Sequence, residues 1–196
     1  FRFEWEECVW NRGRLDCQTR SFDVTDDISD RDLDKRPGII LVDGLDDDEK
    51  YTVYEVTPPT GWMADTHQYT DIDLKKDEVR ELQFLNTRKP GTLIIKKYDG
   101  GKLLGGATFL ITGPSYPSGL TVRDGGENDS DGAANGRIEL TGLEWGEYTV
   151  KETAAPQGYE LDPLPQQKTI GATQLTITFT FVNEPGDGSL VIVQKD

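Results

Sequence analysis

The chain repeats itself with a period of 97 residues. Tyr51-Thr52-Val53, Glu55, Pro59, Gly61 and Trp62 recur as Tyr148-Thr149-Val150, Glu152, Pro156, Gly158 and Tyr159. At the same offset Leu85-Asn86 recurs as Val182-Asn183, and Gly91-Thr92-Leu93 as Gly188-Ser189-Leu190. Self-similarity at a fixed period marks tandem copies of one structural unit. A unit of this length is a common size for a β-sandwich. Each copy also keeps a Glu and an Asn within apolar strands, where charged and amide groups are costly without partners.

Helical periodicity is nearly absent. Short segments rich in Val, Ile, Thr, Phe and Tyr alternate with Gly, Pro, Asn and Asp clusters, the pattern of an all-β chain. In the second copy the pattern predicts strands at 91–98, 106–112, 137–141, 147–153, 167–171 and 174–183, with a long acidic, Gly-rich loop at about 123–136. In the first copy it predicts strands near 1–9, 15–24, 39–43, 50–56, 69–74 and 79–86. Asn86-Thr87-Arg88-Lys89-Pro90-Gly91 joins the copies, and Asn183-Glu184-Pro185-Gly186-Asp187-Gly188 mirrors it. The expected division is 1–88 for a sandwich lacking its first strand and 89–185 for a complete one. Residues 186–196 would then be a linker and the first strand of a following or neighbouring domain.

The net charge of -15, from 36 acidic and 21 basic side chains, disfavours nucleic acid and anionic membrane surfaces, which need basic patches. No run of about 18 apolar residues is present, so no membrane insertion is expected. The start, Phe1-Arg2-Phe3-Glu4-Trp5, lacks the layout of a signal peptide, and the chain reads as a mature or excised fragment. Between Cys8 and Cys17, Trp10-Asn11-Arg12-Gly13-Arg14-Leu15 reads as a hairpin turn. Pairing Trp10 with Leu15 puts Cys8 opposite Cys17, where a cross-strand disulfide fits an oxidising location. Two cysteines and the distant His67 do not make a zinc site, and no metal or other cofactor is expected.

Several ordered motifs carry a family likeness. Gly91 to Asp99, Leu104-Gly105-Gly106-Ala107-Thr108-Phe109, Leu143 to Glu152, Ala155-Pro156-Gln157-Gly158-Tyr159 and Phe181-Val182-Asn183 closely resemble a collagen-adhesin B-type domain. These Cna-B, or SpaA-like, modules have a prealbumin-like fold and occur in Gram-positive pilins and surface adhesins. The resemblance is dense over 91–185, good over 39–90 and slight over 1–38. It implies an all-β chain of two tandem Greek-key immunoglobulin/prealbumin-like β-sandwiches, with a C-terminal strand available for donation to a neighbouring domain.

By alternation Leu93, Ile95 and Lys97 share one strand face, while Lys96 points the other way. If that face is the core, Lys97 is buried, and desolvation favours its neutral, nucleophilic form. A protonated carboxyl could polarise the Asn carboxamide and shuttle protons to departing ammonia. The resemblance implies that the groups are Lys97, Glu152 and Asn183, and that the product is a Lys97–Asn183 isopeptide cross-link. This is single-turnover chemistry, so the protein is not an enzyme in the usual sense. The alternative is that Glu152 and Asn183 only bond backbone while Lys97 reaches solvent.

The first copy departs from the pattern. Glu55 and Asn86 are in place, but no lysine-bearing first strand precedes them, and the end of the chain, Gly188 to Asp196, resembles such a strand. Either the chain is a segment of a longer tandem array, or its last strand completes the first domain of a neighbouring subunit. In the second case Lys195 would bond Asn86 of the neighbour with Glu55 assisting, although strict offset puts Gln194 at the Lys97 position.

Other signals are weaker. Asn128-Asp129-Ser130-Asp131-Gly132 loosely resembles a calcium loop, but Ile138 stands where the bidentate Glu belongs, so a solvated turn is expected. The acidic stretches 23–34 and 43–49 read as solvated loops. Trp5, Trp10, Trp62 and Trp145 could stack glycans or serve cores and joints. His67 has no Ser or Cys nucleophile beside it for a triad, and no phosphate-binding loop is present. The sequence thus predicts a structural subunit of an extracellular filament, pilus or adhesin stalk on a Gram-positive-type cell surface. Its partners would be copies of itself or adjacent domains. The alternative is an adhesin module holding a host protein or glycan in its loops.

Overall fold

A computed structural model describes residues 1–188 and 190–194. The chain divides into two compact units, Phe1–Arg88 and Lys89–Asp196. All described regular structure is β.

Unit 2 is a two-sheet sandwich. Its strands are β7 (Gly91–Asp99), β8 (Lys102–Leu103), β9 (Thr108–Gly113), β10 (Tyr116–Arg123), β11 (Arg137–Leu143), β12 (Gly146–Ala154), β13 (Gln166–Ile170) and β14 (Thr176–Val182). One sheet runs β10-β9-β12-β13 and the other β11-β7-β14, with β8 pairing the end of β7. β7 is antiparallel to β11 and parallel to β14, so it is the shared middle strand of its sheet. Alternate residues point inward, as a period of two requires. Leu93, Ile95, Phe109, Ile111, Tyr148, Val150, Ile177, Phe179 and Phe181 are all buried in one core.

Unit 1 has β1 (Arg2–Asn11), β2 (Arg14–Asp23), β3 (Lys50–Tyr54), β4 (Trp62–Met63), β5 (Gln68–Asp73) and β6 (Thr87–Arg88). Its sheet runs β2-β1-β3-β5, and β4 pairs β6 separately. Fully buried residues of its core cluster are Tyr51, Val53 and Ile72, with Phe3, Trp5, Leu45, Tyr69, Leu74, Leu82 and Phe84 only partly covered.

Besides the two-residue strands β4, β6 and β8, which the sequence pattern does not predict, the structure departs from the sequence expectation in three longer segments. Segments 39–43 and 79–86 form no strand. Their counterparts in unit 2, β11 and β14, take their ladder bonds from β7, and no described residue of unit 1 stands in that position. Apolar content alone does not make a strand without a neighbour to bond. Conversely β10 lies in a segment with no expected strand, because Pro117, Ser118 and Gly119 interrupt its pattern. The ladder accommodates them as an irregularity between Tyr116 and Leu120.

The repeated motifs have repeated geometry. Trp62 N donates to Pro59 O at 3.0 Å and Tyr159 N to Pro156 O at 3.1 Å. The third residues of these turns, Gly61 and Gly158, sit at φ +83° and +88°, which a side chain disfavours. Trp62 then bridges Arg88, as Tyr159 bridges Pro185. The repeated tyrosines are structural: Tyr148 OH donates to Glu144 O at 2.9 Å, and Tyr51 OH accepts from Asp46 N at 2.9 Å.

Candidate functional site

Three inward rows of unit 2 end in polar groups. β7 carries Leu93, Ile95 and then Lys97. β12 carries Tyr148, Val150 and then Glu152. β14 carries Ile177, Phe179 and Phe181, followed by Asn183. Lys97 and Asn183 thus come from one sheet and Glu152 from the facing one. Their relative exposures are 1%, 2% and 0%, so the three polar groups lie at the end of an apolar core and out of water. Lys96 is on the other face and half-exposed.

Backbone bonds hold this end of the sandwich in place. Lys97 N donates to Gly136 O and Leu104 N to Lys97 O, each at 2.9 Å, while Asn183 N donates to Tyr98 O at 3.0 Å. Tyr159 OH donates to Asp99 Oδ2 at 2.6 Å, and this bond raises the tyrosine's pKa.

The side-chain bonds are directional. Asn183 Nδ2 donates to Glu152 Oε1 at 2.9 Å, and Asp162 N donates to Glu152 Oε2, also at 2.9 Å. Asn183 Oδ1 is buried with no hydrogen-bond partner. The Lys97 amine donates one long hydrogen bond among the described residues, to Tyr98 O at 3.4 Å. Burial pushes its pKa down, opposed by the nearby charges of Glu152 and Asp162. The site therefore gathers an amine biased toward its neutral form, a carboxamide with a free carbonyl oxygen, and a carboxyl on the carboxamide nitrogen.

Unit 1 reproduces the acid–amide half. Asn86 Nδ2 donates to Glu55 Oε1 at 2.8 Å and Asp65 N to Glu55 Oε2 at 3.1 Å. Here the amide carbonyl is satisfied, since Asn86 Oδ1 accepts from Asp65 N at 3.0 Å. Lys195 lies outside the described residues. Asp65 and Asp162 were not singled out in the sequence, although they stand at the same 97-residue offset and each lends a backbone amide to the glutamate.

The remaining candidates lie elsewhere. Cys8 and Cys17 pair across β1 and β2 and are joined as a disulfide. Trp5 packs on the unit 1 core and Trp62 lies beside Arg88. Trp145 packs on the unit 2 core and donates to Lys89 O, whereas Trp10 is exposed at the hairpin end. Asp26, Asp27 and Asp32 cluster in one loop, where the Asp32 carboxylate accepts backbone amides from Asp27, Asp34 and Leu41. In the 123–136 loop Asp124 is likewise an internal acceptor, for the amides of Gly106, Asn135 and Gly136. Both acidic groups organise their own loops.

Residues 91–185 match the profile of the SpaA family, a prealbumin-like fold domain. Unit 2 is a SpaA-type domain. No curated protein sequence matches the chain. Among solved structures, the chain is similar to BcpA, the major pilin subunit of Bacillus cereus, at 27% identity and TM-score 0.37, over 48% of this chain and 29% of that one. It is similar to the Bacillus anthracis TIE protein at 26% identity and TM-score 0.43, over 70% and 25%. The full-length major pilin SpaD from Corynebacterium diphtheriae gives 19% identity and TM-score 0.39, over 50% and 32%. The matched parts are a quarter to a third of these longer chains.

Proposed function

We propose that the protein is a structural subunit of an extracellular surface filament or stalk, and that its SpaA-type unit is locked by an isopeptide bond between Lys97 and Asn183. The observation that carries this reading is the burial together of Lys97, Glu152 and Asn183, with the acid on the amide nitrogen. A structural core gains nothing from such a set, because buried polar groups cost free energy and Lys97 is poorly paired.

In the reaction the neutral Lys97 Nζ attacks Asn183 Cγ. A C–N bond forms, the Cγ–Nδ2 bond breaks, and ammonia leaves. Glu152, which accepts the amide N–H at Oε1, takes a proton from the attacking amine and passes it to the departing nitrogen. Atoms and charge balance with one ammonia released per bond, and no cofactor is needed. The bond would tie β7 directly to the residue following β14, so tension on either end passes through covalent links without peeling the sheet.

Head-to-tail assembly completes the reading. Residues 190–194 of one subunit would pair in unit 1 of another in the position that β7 holds in unit 2. Exposure of Leu190, Val191, Ile192 and Val193, at 85%, 81%, 84% and 73%, supports it. The cell surface of a Gram-positive-type bacterium is the setting that the SpaA assignment favours. The test is intact mass under denaturing conditions: one bond lowers the mass by about 17 Da, the ammonia expelled. An unmodified mass in folded protein would sink the cross-link.

A further inference from the structure

We infer that the backbone N–H of Asp162 is the oxyanion donor of the Lys97–Asn183 reaction, coming to be shared between Glu152 Oε2 and Asn183 Oδ1 as negative charge builds on the amide oxygen. This rests on the isopeptide reading above and adds to it the group that stabilises the tetrahedral intermediate.

The need follows from the direction of the bonds. When Lys97 Nζ attacks Asn183 Cγ, the carbonyl electron pair moves onto Oδ1, and it returns as the Cγ–Nδ2 bond breaks and ammonia leaves. Glu152 stands on the nitrogen side of the amide, where Asn183 Nδ2 donates to its Oε1 at 2.9 Å. Its other oxygen is held by Asp162 N, also at 2.9 Å. Asn183 Oδ1 is buried with no hydrogen-bond partner. Negative charge formed there, out of water, is costly unless a fixed donor meets it.

The counterpart in unit 1 reaches both groups. Asp65 N donates to Glu55 Oε2 at 3.1 Å and to the amide oxygen Asn86 Oδ1 at 3.0 Å. Asp65 and Asp162 stand at the 97-residue offset. In each unit the aspartate follows its glutamate by 10 residues, and in unit 1 it precedes its asparagine by 21, as Asp162 precedes Asn183. The same amide therefore already spans acid and carbonyl in one copy, at the distance that an oxyanion donor requires. In unit 2 it rests on the glutamate alone. A bond made only as the oxygen gains charge stabilises the transition state more than the starting amide, and that difference lowers the barrier.

The residue type fits the role. Asp162 Oδ1 accepts Leu164 N at 3.0 Å, and Asp65 Oδ1 accepts His67 N at 2.8 Å. Each aspartate closes a turn with its own side chain and so holds the segment that carries its N–H. The Asp162 carboxylate is thus a positioning group, and its N–H is the group that meets the reacting oxygen.

The experiment is semisynthesis of the 196-residue chain with malic acid in place of Asp162, which turns the Leu161–Asp162 amide into an ester and deletes only the N–H. Closure after refolding is read by time-resolved intact mass, as a loss of about 17 Da. The ester should slow closure by about 10²–10³-fold, the effect of removing one oxyanion donor. In Glu152→Ala, where no acid remains for the N–H to hold, the ester should slow the residual closure by a similar factor, read at high pH where the amine is neutral. Asp162→Ala keeps the N–H but frees the turn, so it should also slow closure, and Asp162→Asn, able to accept Leu164 N, should restore it. An ester chain that closes at the wild-type rate overturns the inference and leaves the isopeptide reading standing. An ester effect confined to chains that retain Glu152 overturns it too, and makes the N–H a support for the acid. A wild-type chain that keeps its full mass overturns both readings.

Discussion

Glu152 Oε1 accepts the Nδ2–H of Asn183 at 2.9 Å, and 97 residues earlier Glu55 Oε1 accepts the Nδ2–H of Asn86 at 2.8 Å. The same acid–amide contact is thus built twice, once at the buried end of the row that carries Lys97 and once with no lysine bonded to it among the described residues. In both units the second carboxyl oxygen is held by the backbone amide of an aspartate, Asp162 or Asp65. The carboxyl is fixed at both oxygens, which aims it at the nitrogen that would leave as ammonia.

Replacing that acid tests its role. Glu152→Gln keeps the shape but cannot exchange the proton, so closure of the Lys97–Asn183 bond should slow by about 10²–10⁴-fold, the usual worth of positioned acid–base groups. Time-resolved intact mass after refolding from denaturant reads the rate. Closure at the wild-type rate would remove Glu152 from the chemistry.

A second prediction concerns pH. Asn183→Ala cannot form the bond and leaves Lys97 titratable. Burial holds the folded lysine below its ordinary 10.5, so between the two pKa values the unfolded chain binds a proton that the folded one has released. Stability of this variant should therefore rise with pH across that window and level off above the ordinary lysine value. Denaturant midpoints at a series of pH values check it, and Asn183→Ala combined with Lys97→Met should lose this dependence. In the wild type the closure rate should climb with pH over the range in which Lys97 loses its proton.

Much of this site is legible in the sequence because strand alternation fixes which residues face inward. Lys97 follows Leu93 and Ile95 at steps of two, and the burial of all three follows from the pleat. The resemblance to a known family supplied the pairing with Glu152 and Asn183, which lie 55 and 86 residues farther along the chain. Propensity misjudged 39–43 and 79–86, since a strand is a property of a pair and their would-be partner is not among the described residues of unit 1. Asp162 escaped notice because it acts through its backbone amide, which carries no residue-type signal.

The sandwich of unit 2 tolerates little at Gly113. A Cβ there would lie 2.4 Å from Tyr148 Cδ1 and 2.9 Å from its Cγ, against a ring that is fully buried. The ring cannot swing aside without giving up its hydroxyl bonds to Ser115 and Glu144. Gly113→Ala should cost about 1–3 kcal/mol, the range for overpacked cores, read as a lower thermal midpoint of unit 2. Pairing it with Tyr148→Phe should recover part of that loss if the hydroxyl tether is what holds the ring.

The disulfide should act locally. β1 pairs with β3 only at Arg2, Phe3 and Glu4, while its pairing with β2 continues to Asn11 and Arg14. Beyond the sheet the hairpin is a two-stranded ribbon, and such ribbons are marginal in water without further support. Cys8–Cys17 closes that ribbon near its turn, where Arg12 and Gly13 both have positive φ. Loop entropy for so short a separation gives at most about 2–3 kcal/mol, and it falls on the ribbon rather than on the core of unit 1. Reduction should therefore speed amide hydrogen exchange between residues 6 and 19 while leaving Tyr51 to Val53 protected. Loss of protection at Tyr51 to Val53 on reduction would mean that the ribbon is part of the folding unit and that the disulfide stabilises the whole of unit 1.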